Sequence, residues 1–391
     1  MQSLLSNERY LKFHIYVPKC DAPYHYSFDP SASMDSESDR ESDAYSGTAS
    51  DISSRTSVSS DNIDYSMRSL SQASVMSIES TMQLYKQEYG RELNNYSDVY
   101  GLPADDEELD RLELQHQVLI KIFGEKYSPS MTEVLKEEES PAEEKACLDL
   151  GCGTGSWISE VAHDFPHIKA VAIDLIPLQA IEIPNLRSEV DDINIGLEHY
   201  FGDFNVVHAR LIAAGIRDYH CMIDQIAQVL RPGGLVDLSE FDFHIYDIHH
   251  QRILFNSEDD IRSPWWGRWM QFLRDAVKAK GGDVDAATNL YDWVLQNPLF
   301  EEVTYREYWL PIVSGPYHEC NSPDRMVEEA MKNNVITFLG SGRPLLLGQG
   351  ISETIVTLLE QKAVGEIEER KIPQFTRLQR VTARKKIFTK Q

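Results

Sequence analysis

The chain has 391 residues, of which 42% are hydrophobic and 10% aromatic. This composition is typical of a globular protein and excludes a chain that is disordered throughout. The 37 Lys and Arg face 63 Asp and Glu, a net charge of -26, and because an acidic surface repels phosphate backbones we expect no direct nucleic-acid binding. No apolar run reaches the roughly 18 residues of a membrane span, and the first residues do not resemble a signal peptide, so we expect neither secretion nor membrane insertion.

Cysteine usage points to a reducing compartment. The five cysteines are scattered without a CxxC pair: Cys20, Cys147, Cys152, Cys221 and Cys320. This spacing argues against a disulfide framework and against a structural zinc site. His249 and His250 have no further residues at ligand-like spacing, so no metal is expected. The predicted location is the cytoplasm or the nucleus.

Residues 1–80 are predicted to be a disordered tail. Residues 31–80 contain eighteen Ser and nine acidic side chains, too few apolar groups to offset the entropy of ordering the chain. The segment is either a phosphorylatable regulatory arm or a solvated linker, and the linker is the commoner case. The remaining residues, 81–391, are predicted to form one domain.

The first part of that domain, residues 81–127, is predicted to be a helical cap. Four acids at 105–108 precede apolar residues at near-helical spacing, which predicts a helix over about 105–124. We expect this helix to pack over the cofactor side of the domain. Residues 128–145 are polar and rich in Glu, and they read as a loop.

Residues 146–240 alternate between short apolar runs and helical patterns. Strands are predicted at 146–150, 170–175, 204–210 and 235–240, and helices at 156–165 and 218–230. The second helix is predicted to stop at Arg231-Pro232-Gly233-Gly234. Buried strands that alternate with helices predict an α/β fold with a mostly parallel, doubly wound sheet and helices on both faces.

Residues 241–391 are predicted to supply the substrate side and the last strands. The elements expected are a strand over 302–312, a helix within 349–369 and a strand over 377–388. Trp265, Trp266 and Trp269 form an aromatic cluster, read either as a pocket for a planar substrate or as the core stripe of an amphipathic helix. The core stripe is the reading that we favour.

One segment carries chemical information, the run LDLGCGTG over 148–155. Its glycines allow a sharp turn and close approach to a ligand, and the helix that follows offers free N–H groups. The spacing differs from the dinucleotide fingerprint G-x-G-x-x-G, because Ser156 occupies the sixth position. Asp149 would repel a pyrophosphate but suits the ammonium and sulfonium of S-adenosylmethionine (SAM). The segment resembles the D-L-G-x-G-x-G motif of class I SAM-dependent methyltransferases.

Acidic residues downstream agree with a nucleoside ligand. Asp174 ends the next strand, where a carboxylate can accept hydrogen bonds from both ribose hydroxyls. In the methyltransferase pattern an acid after the third strand accepts from the adenine amino group, and Asp192 aligns best with that role. The predicted cofactor-binding residues are Asp149, Gly151, Cys152, Gly153, Gly155, Asp174, Leu175, Asp191, Asp192 and Ile193.

A wider resemblance covers residues 84–313. The runs LPADDEELDRLELQH, LDLGCGTGSWISEVAHDF and HCMIDQIAQVLRPGG look like the fungal LaeA-like methyltransferases, named for a regulator of secondary metabolism. The resemblance implies a class I, Rossmann-like fold with a seven-stranded sheet whose last strand is antiparallel. It also implies SAM as the cofactor.

The catalytic residues are less marked in the sequence. Methyl transfer needs alignment and a dry site, and a base only when the nucleophile must lose a proton. His208 and Arg210 end the fourth strand, where ligands bind in open α/β sheets. His208 is either a base or a structural histidine; Arg210 either holds an acidic substrate or braces the site. Glu240 is expected to be structural.

Three functions follow as hypotheses. The first is a methyltransferase for a small-molecule acceptor in secondary metabolism. The second is a nuclear regulator that methylates a protein partner or itself. The third is a non-catalytic interaction protein, which the intact glycines and Asp174 disfavour. No residue spacing in the sequence identifies the methyl acceptor or the oligomeric state. The acceptor pocket is expected in the loops 241–265 and 311–348.

Overall fold

The computed structural model describes residues 84–138, 143–178, 182–255, 262–313 and 325–387. The predicted tail, residues 1–80, lies outside these ranges. Within them, no helix is long and apolar enough to cross a membrane.

The N-terminal part begins with a hairpin that the sequence did not predict. Strands β1 (Tyr85–Glu88) and β2 (Arg91–Asn94) pair antiparallel, joined by Tyr89 and Gly90, both with positive φ. Such a two-residue turn matches the twist of a hairpin. The described part of this segment, residues 84–127, is therefore a hairpin followed by a helix, whereas the sequence predicted only a helical cap.

The predicted helix is present as α1 (Asp106–Phe123). Asp105 caps it by accepting a hydrogen bond from the backbone N–H of Glu108, and Gly124 ends it in the left-handed conformation. Both ends match the cap chemistry of the sequence.

Seven further strands form one sheet: β3 (Ala146–Leu150), β4 (Lys169–Asp174), β5 (Leu186–Val190), β6 (Phe204–Arg210), β7 (Leu230–Phe241), β8 (Phe300–Val313) and β9 (Gln374–Lys385). Their order is β5-β4-β3-β6-β7-β9-β8. The first five pair in parallel, and β9 lies antiparallel between β7 and β8. The predicted α/β fold with an antiparallel last strand is confirmed.

Helices cover both faces of the sheet. The helices after α1 are α2 (Pro129–Leu135), α3 (Ser156–Asp164), α4 (Tyr219–Val229), α5 (Trp265–Lys280), α6 (Ala286–Gln296), α7 (Arg325–Gly348) and α8 (Glu353–Glu369). Helices α4 and α6 share one buried apolar cluster with the sheet, and α2 and α3 share another on the opposite face. A third cluster joins α1, α5, α7 and α8.

Three local predictions need correction. The stretch 128–145 contains α2, because Ser128 caps it and Pro129 begins it while Met131 and Leu135 are buried. Strand β7 begins at Leu230 and runs through the Pro-Gly-Gly segment that was expected only to stop a helix. The predicted loop 311–348 is in its described part mostly the helix α7, with Pro344 inside it.

Candidate functional site

The site lies at the carboxyl ends of the parallel strands. The strand order reverses between β3 and β6, which is the point where ligands bind in open α/β sheets. A cavity of about 270 Å³ opens there. Residues from the ends of β3, β4, β6 and β7 form one side, and residues of α1, α5 and α7 form the other.

The glycine-rich turn joins β3 to α3. Gly151 has φ of +67°, and a Cβ atom there would lie 2.5 Å from Cγ2 of Ile212. Only glycine fits this position without displacing its neighbour. Gly151, Cys152 and Gly153 line the cavity, whereas Gly155 caps α3 with φ of +75° and is not among the lining residues.

Asp174 is fixed in place by the backbone. Its carboxylate accepts hydrogen bonds from the N–H groups of Gly153 at 2.8 Å and Leu175 at 2.7 Å. The turn and the carboxylate are thereby tied to each other at the cavity wall. Burial raises the pKa of Asp174 to about 6, although these donors favour its ionised form.

Asp191, Asp192 and Ile193 follow β5 and also line the cavity. Asp192 is buried and caps a short 3-10 turn by accepting from the backbone N–H of Asn194 at 2.9 Å. Asp191 accepts from the backbone N–H of Asp192 at 2.8 Å. Burial raises the pKa of Asp191. The turn thus presents two carboxylates to one end of the cavity.

Asp149 and His208 form a buried pair on neighbouring strands. Nδ1 of His208 lies 2.7 Å from Oδ1 of Asp149, and the two residues are register partners in β3 and β6. The imidazole stacks on the ring of Trp157 with centroids 3.6 Å apart. In the tautomer with the proton on Nδ1, this nitrogen donates to Asp149 and Nε2 is the acceptor nitrogen.

Arg210, at the end of β6, forms a hydrogen bond with a residue of α1. Its Nη2 lies 2.9 Å from Nδ1 of His116. Burial lowers the pKa of Arg210 to about 10. Burial and the charge of Arg210 lower the pKa of His116. His116 therefore accepts the hydrogen bond as a neutral imidazole, a contact that the sequence did not predict.

The other half of the cavity is mostly apolar, although Asn334 of α7 and the Glu108–Arg111 ion pair of α1 also line the cavity. Its walls include Trp266 and Met270 of α5, Ile312 of β8, and Val335 and Phe338 of α7. Trp269 is fully buried behind this wall and stacks on Trp266 with ring centroids 5.4 Å apart. The tryptophan cluster is thus a core stripe whose edge faces the cavity.

Two acids at the end of β7, Glu240 within the strand and Asp242 just after it, are held by neighbouring groups. Glu240 accepts from the backbone N–H of Ile212 at 2.9 Å and from the hydroxyl of Tyr219 at 3.0 Å, and burial raises its pKa to about 8. Asp242 accepts from Arg377 at 2.6 Å and from the hydroxyl of Tyr246 at 2.6 Å. Both carboxylates line the cavity and are held in place by these hydrogen bonds.

The polar half fits the chemistry of SAM. Carboxylates of Asp149, Asp174 and Asp192 line one cavity together with the glycine-rich turn. An ammonium, a ribose diol and an adenine amino group are each donors that a carboxylate accepts. Across the described ranges, no three Cys, His or acidic side chains cluster as a metal site requires.

Comparison with known proteins also identifies a methyltransferase domain. Residues 123–296 match the model of a methyltransferase domain family. The secondary metabolism regulator laeA of Coprinopsis cinerea is 49% identical over 79% of this chain and 76% of its own length. The methyltransferase pytC of Aspergillus terreus is 30% identical over 64% of this chain and 74% of its own.

A solved structure, Haemonchus contortus phosphoethanolamine N-methyltransferase 2 with S-adenosyl-L-methionine, is 14% identical with a TM-score of 0.37. It covers 70% of this chain and 57% of its own. The sheet order, the glycine-rich turn and the matched domain define a class I methyltransferase fold whose cofactor is SAM. Within that class, the chain belongs to the fungal LaeA-like family.

Proposed function

We propose that the chain transfers the methyl group of SAM to a small-molecule acceptor in secondary metabolism. The supporting observation is that one cavity joins an acidic half at the strand ends to an apolar half between α5 and α7. An apolar chamber with a few convergent polar groups suits a small organic molecule better than an extended polypeptide.

The acidic half would hold the cofactor. Asp149 would face the ammonium, Asp174 would accept from the ribose hydroxyls, and Asp192 would accept from the adenine amino group. When bound, SAM supplies an electrophilic methyl group on a sulfonium. The turn at Gly151 lets the backbone approach the ligand closely, because a side chain there would meet Ile212.

The apolar half would position the acceptor and exclude water. Trp266 and Met270 are almost fully buried, yet both line the cavity. Holding the nucleophile in line with the methyl group, in a site without competing water, accounts for most of the rate that such an enzyme needs. The walls therefore act through shape rather than through acid–base chemistry.

His208 is the group that we assign to proton removal. Its Nδ1 is held by Asp149 and its ring by Trp157, and among the described residues no hydrogen-bond partner is found for Nε2. His208 lines the cavity. An imidazole with one nitrogen fixed by a carboxylate and the other open suits a general base.

Two substitutions at His208 distinguish a general base from a residue that only positions Asp149. Asparagine keeps a donor near the position of Nδ1 and removes Nε2, whereas alanine removes both. If His208 is the base, His208→Asn lowers kcat by about a hundredfold or more while the SAM Kd stays near wild type. If His208 only braces Asp149, His208→Asn retains kcat and only His208→Ala weakens SAM binding.

A labelling experiment tests the acceptor class. The full chain is incubated with a low concentration of methyl-tritiated SAM and a low-molecular-weight fungal culture extract, with Asp174→Ala as the control that binds SAM more weakly. Label in extractable small molecules that depends on Asp174 supports the proposal. The proposal is contradicted if label enters only protein, or if the chain binds SAM but transfers no label.

The name of the relative from Coprinopsis cinerea favours one alternative function. That protein is described as a secondary metabolism regulator, so a nuclear role through methylation of a protein partner or of the chain itself is the second candidate. It predicts label in a protein band and residence in the nucleus, whereas a metabolic enzyme is also compatible with the cytoplasm. The same labelling experiment therefore distinguishes the two.

A further inference from the structure

One group of polar side chains lies in the mostly apolar half of the cavity. Glu108 and Arg111 of α1 and Asn334 of α7 all line the cavity, and each exposes 5% of its surface or less. The ring of Phe338 lies against the guanidinium, with its centroid 5.2 Å from Cζ of Arg111. Because buried polar groups destabilise a fold unless they have partners, the hydrogen bonds of this group indicate what a ligand could add.

The ion pair between Glu108 and Arg111 is fully formed. Nε and Nη2 of Arg111 donate to the two carboxylate oxygens at 3.0 and 2.7 Å, and the hydroxyl of Ser341 also donates to Glu108. This bidentate pair neutralises the charge of the guanidinium. A ligand that binds beside it therefore needs no negative charge.

The contact between Arg111 and Asn334 is much looser. Nη1 of Arg111 lies 3.5 Å from Oδ1 of Asn334, longer than the roughly 2.7–3.2 Å of an ordinary N–H···O hydrogen bond. Nη1 carries two N–H groups, and Oδ1 is the one acceptor found for them among the described residues. The amide is fixed from its other end, because Nδ2 of Asn334 donates to the backbone carbonyl of Arg111 at 3.0 Å.

A hydroxyl group matches this donor and acceptor. Its oxygen accepts from Nη1 of Arg111, and its proton is donated to Oδ1 of Asn334. A carbonyl oxygen could use only the donor, and a methyl group neither. A carboxylate would be repelled by Glu108, which already neutralises the guanidinium.

We propose that Arg111 and Asn334 form a hydroxyl-binding site that selects an uncharged acceptor carrying a hydroxyl group. This inference rests on the proposed function, because it concerns the acceptor half of the same cavity. The site determines specificity, and proton removal stays with His208. Glu108 is the positioning residue that holds the guanidinium.

Two probes of nearly equal shape test the site. The full chain, loaded with S-adenosylhomocysteine, is titrated by fluorescence with 1-naphthalenemethanol and with 1-ethylnaphthalene, which carries a methyl group in place of the hydroxyl. An apolar pocket without a partner for the hydroxyl would bind the ethyl probe more tightly. With the proposed site, wild type binds 1-naphthalenemethanol at least as tightly as 1-ethylnaphthalene.

Asn334→Leu removes the acceptor oxygen of the site. The preference for the hydroxyl probe, measured as the ratio of the two dissociation constants, should fall by about tenfold. The ratio cancels any loss of shape or stability that affects both probes. Val335→Ala is the matched control, since Val335 is the next residue of α7 and also lines the cavity; it should weaken both probes alike and keep the ratio within about twofold.

A double variant removes the donor without leaving a buried charge. Glu108→Leu combined with Arg111→Met replaces the ion pair by apolar side chains, a change that buried pairs often tolerate. The ratio should again fall by about tenfold. Circular dichroism checks folding: if one variant does not fold the other decides, and if neither folds the wild-type comparison decides.

Several results would overturn the hydroxyl-binding site. Tighter binding of 1-ethylnaphthalene by wild type, or a ratio that folded variants leave unchanged, would mean that Arg111 and Asn334 only join α1 to α7. Tighter binding of a third probe, 1-naphthoate, would assign the pair to a carboxylate instead. These results leave the proposed function standing, whereas failure of every probe to bind a chain that binds SAM would contradict both.

Discussion

The two halves of the cavity are built in different ways. Four of the acids that line the acidic half, Asp149, Asp174, Asp191 and Asp192, come from one short stretch of chain, residues 149–193. The apolar half brings together Leu102, Trp266, Ile312 and Val335, which are far apart in the chain. One half is local in sequence, and the other exists only after folding.

This difference bears on what each half does. The acidic half uses carboxylates fixed by backbone N–H groups, as Asp174 is by Gly153 and Leu175. Carboxylates held in fixed positions suit a ligand whose structure is always the same. Beside the apolar half, Glu108 pairs with Arg111 and Asn334 donates to the backbone of Arg111. The shape of the apolar wall itself depends on how α5 and α7 pack against β8. The halves should therefore respond separately to mutation.

Asp174→Ala is expected to give the largest difference between the two halves in the loss of ligand affinity. Loss of a charged acceptor of two hydroxyls should weaken SAM binding by about ten- to a hundredfold, equivalent to about 1.5–3 kcal/mol. The affinity of the apolar half for a neutral aromatic probe, 1-naphthalenemethanol, should change less than twofold. Calorimetry on the full chain measures both, and equal losses for both ligands would show that the halves are coupled.

Lowering the pH should weaken SAM binding by the acidic half, somewhat less than Asp174→Ala does. The pKa of Asp174 is raised to about 6 by burial, so the ionised acceptor is present above that pH and is lost below it. The SAM Kd of wild type should therefore rise by up to about tenfold per pH unit below 6. Asp174→Asn, which is neutral throughout, should lack this step; a parallel slope in the variant would assign it to another group.

Phe338→Ala should act on the apolar half alone. Its ring lines the cavity and lies edge-on to Trp269, with centroids 5.5 Å apart. Loss of one aromatic contact, about 0.5–1.5 kcal/mol, should weaken binding of 1-naphthalenemethanol by roughly two- to twelvefold. The SAM Kd should stay near wild type, and a matching loss of SAM affinity would contradict separate halves.

The smallest effect is expected at the boundary, from Glu240→Gln. The pKa of Glu240 is raised from 4.5 to about 8 because the carboxyl is fully buried. The folded state then holds a proton that the unfolded state has released, so its stabilisation is present below pH 4.5 and is lost as the pH rises through 8.

Glutamine resembles the protonated form at every pH. The Tm of wild type should accordingly fall further than that of Glu240→Gln between these two pH values, as followed by circular dichroism. Identical Tm profiles would mean that Glu240 does not titrate in this range, and neither ligand affinity should change.

Sequence reasoning worked best where one element carried the whole signal. The strand at 146–150 and the helix at about 105–124 were predicted, because apolar periodicity, caps and turns are local features. The antiparallel last strand was expected only from the resemblance to the LaeA-like family. It missed α2, whose two buried apolar residues, Met131 and Leu135, stand within a polar stretch. It also missed α7, where Pro344 interrupts an otherwise helical pattern.

For the site, the sequence predicted most of the residues that the structure brings together along one wall of the cavity. The glycines and acids at 149–192 lie at strand ends, and parallel strands bring their carboxyl ends to one edge whatever else the fold contains. The tertiary structure decided the rest. The pairing of Asp149 with His208, the contact of Arg210 with His116, and the apolar wall of Trp266, Met270 and Phe338 each join distant segments. Such contacts have no spacing in the sequence, because packing sets them and not the local chain.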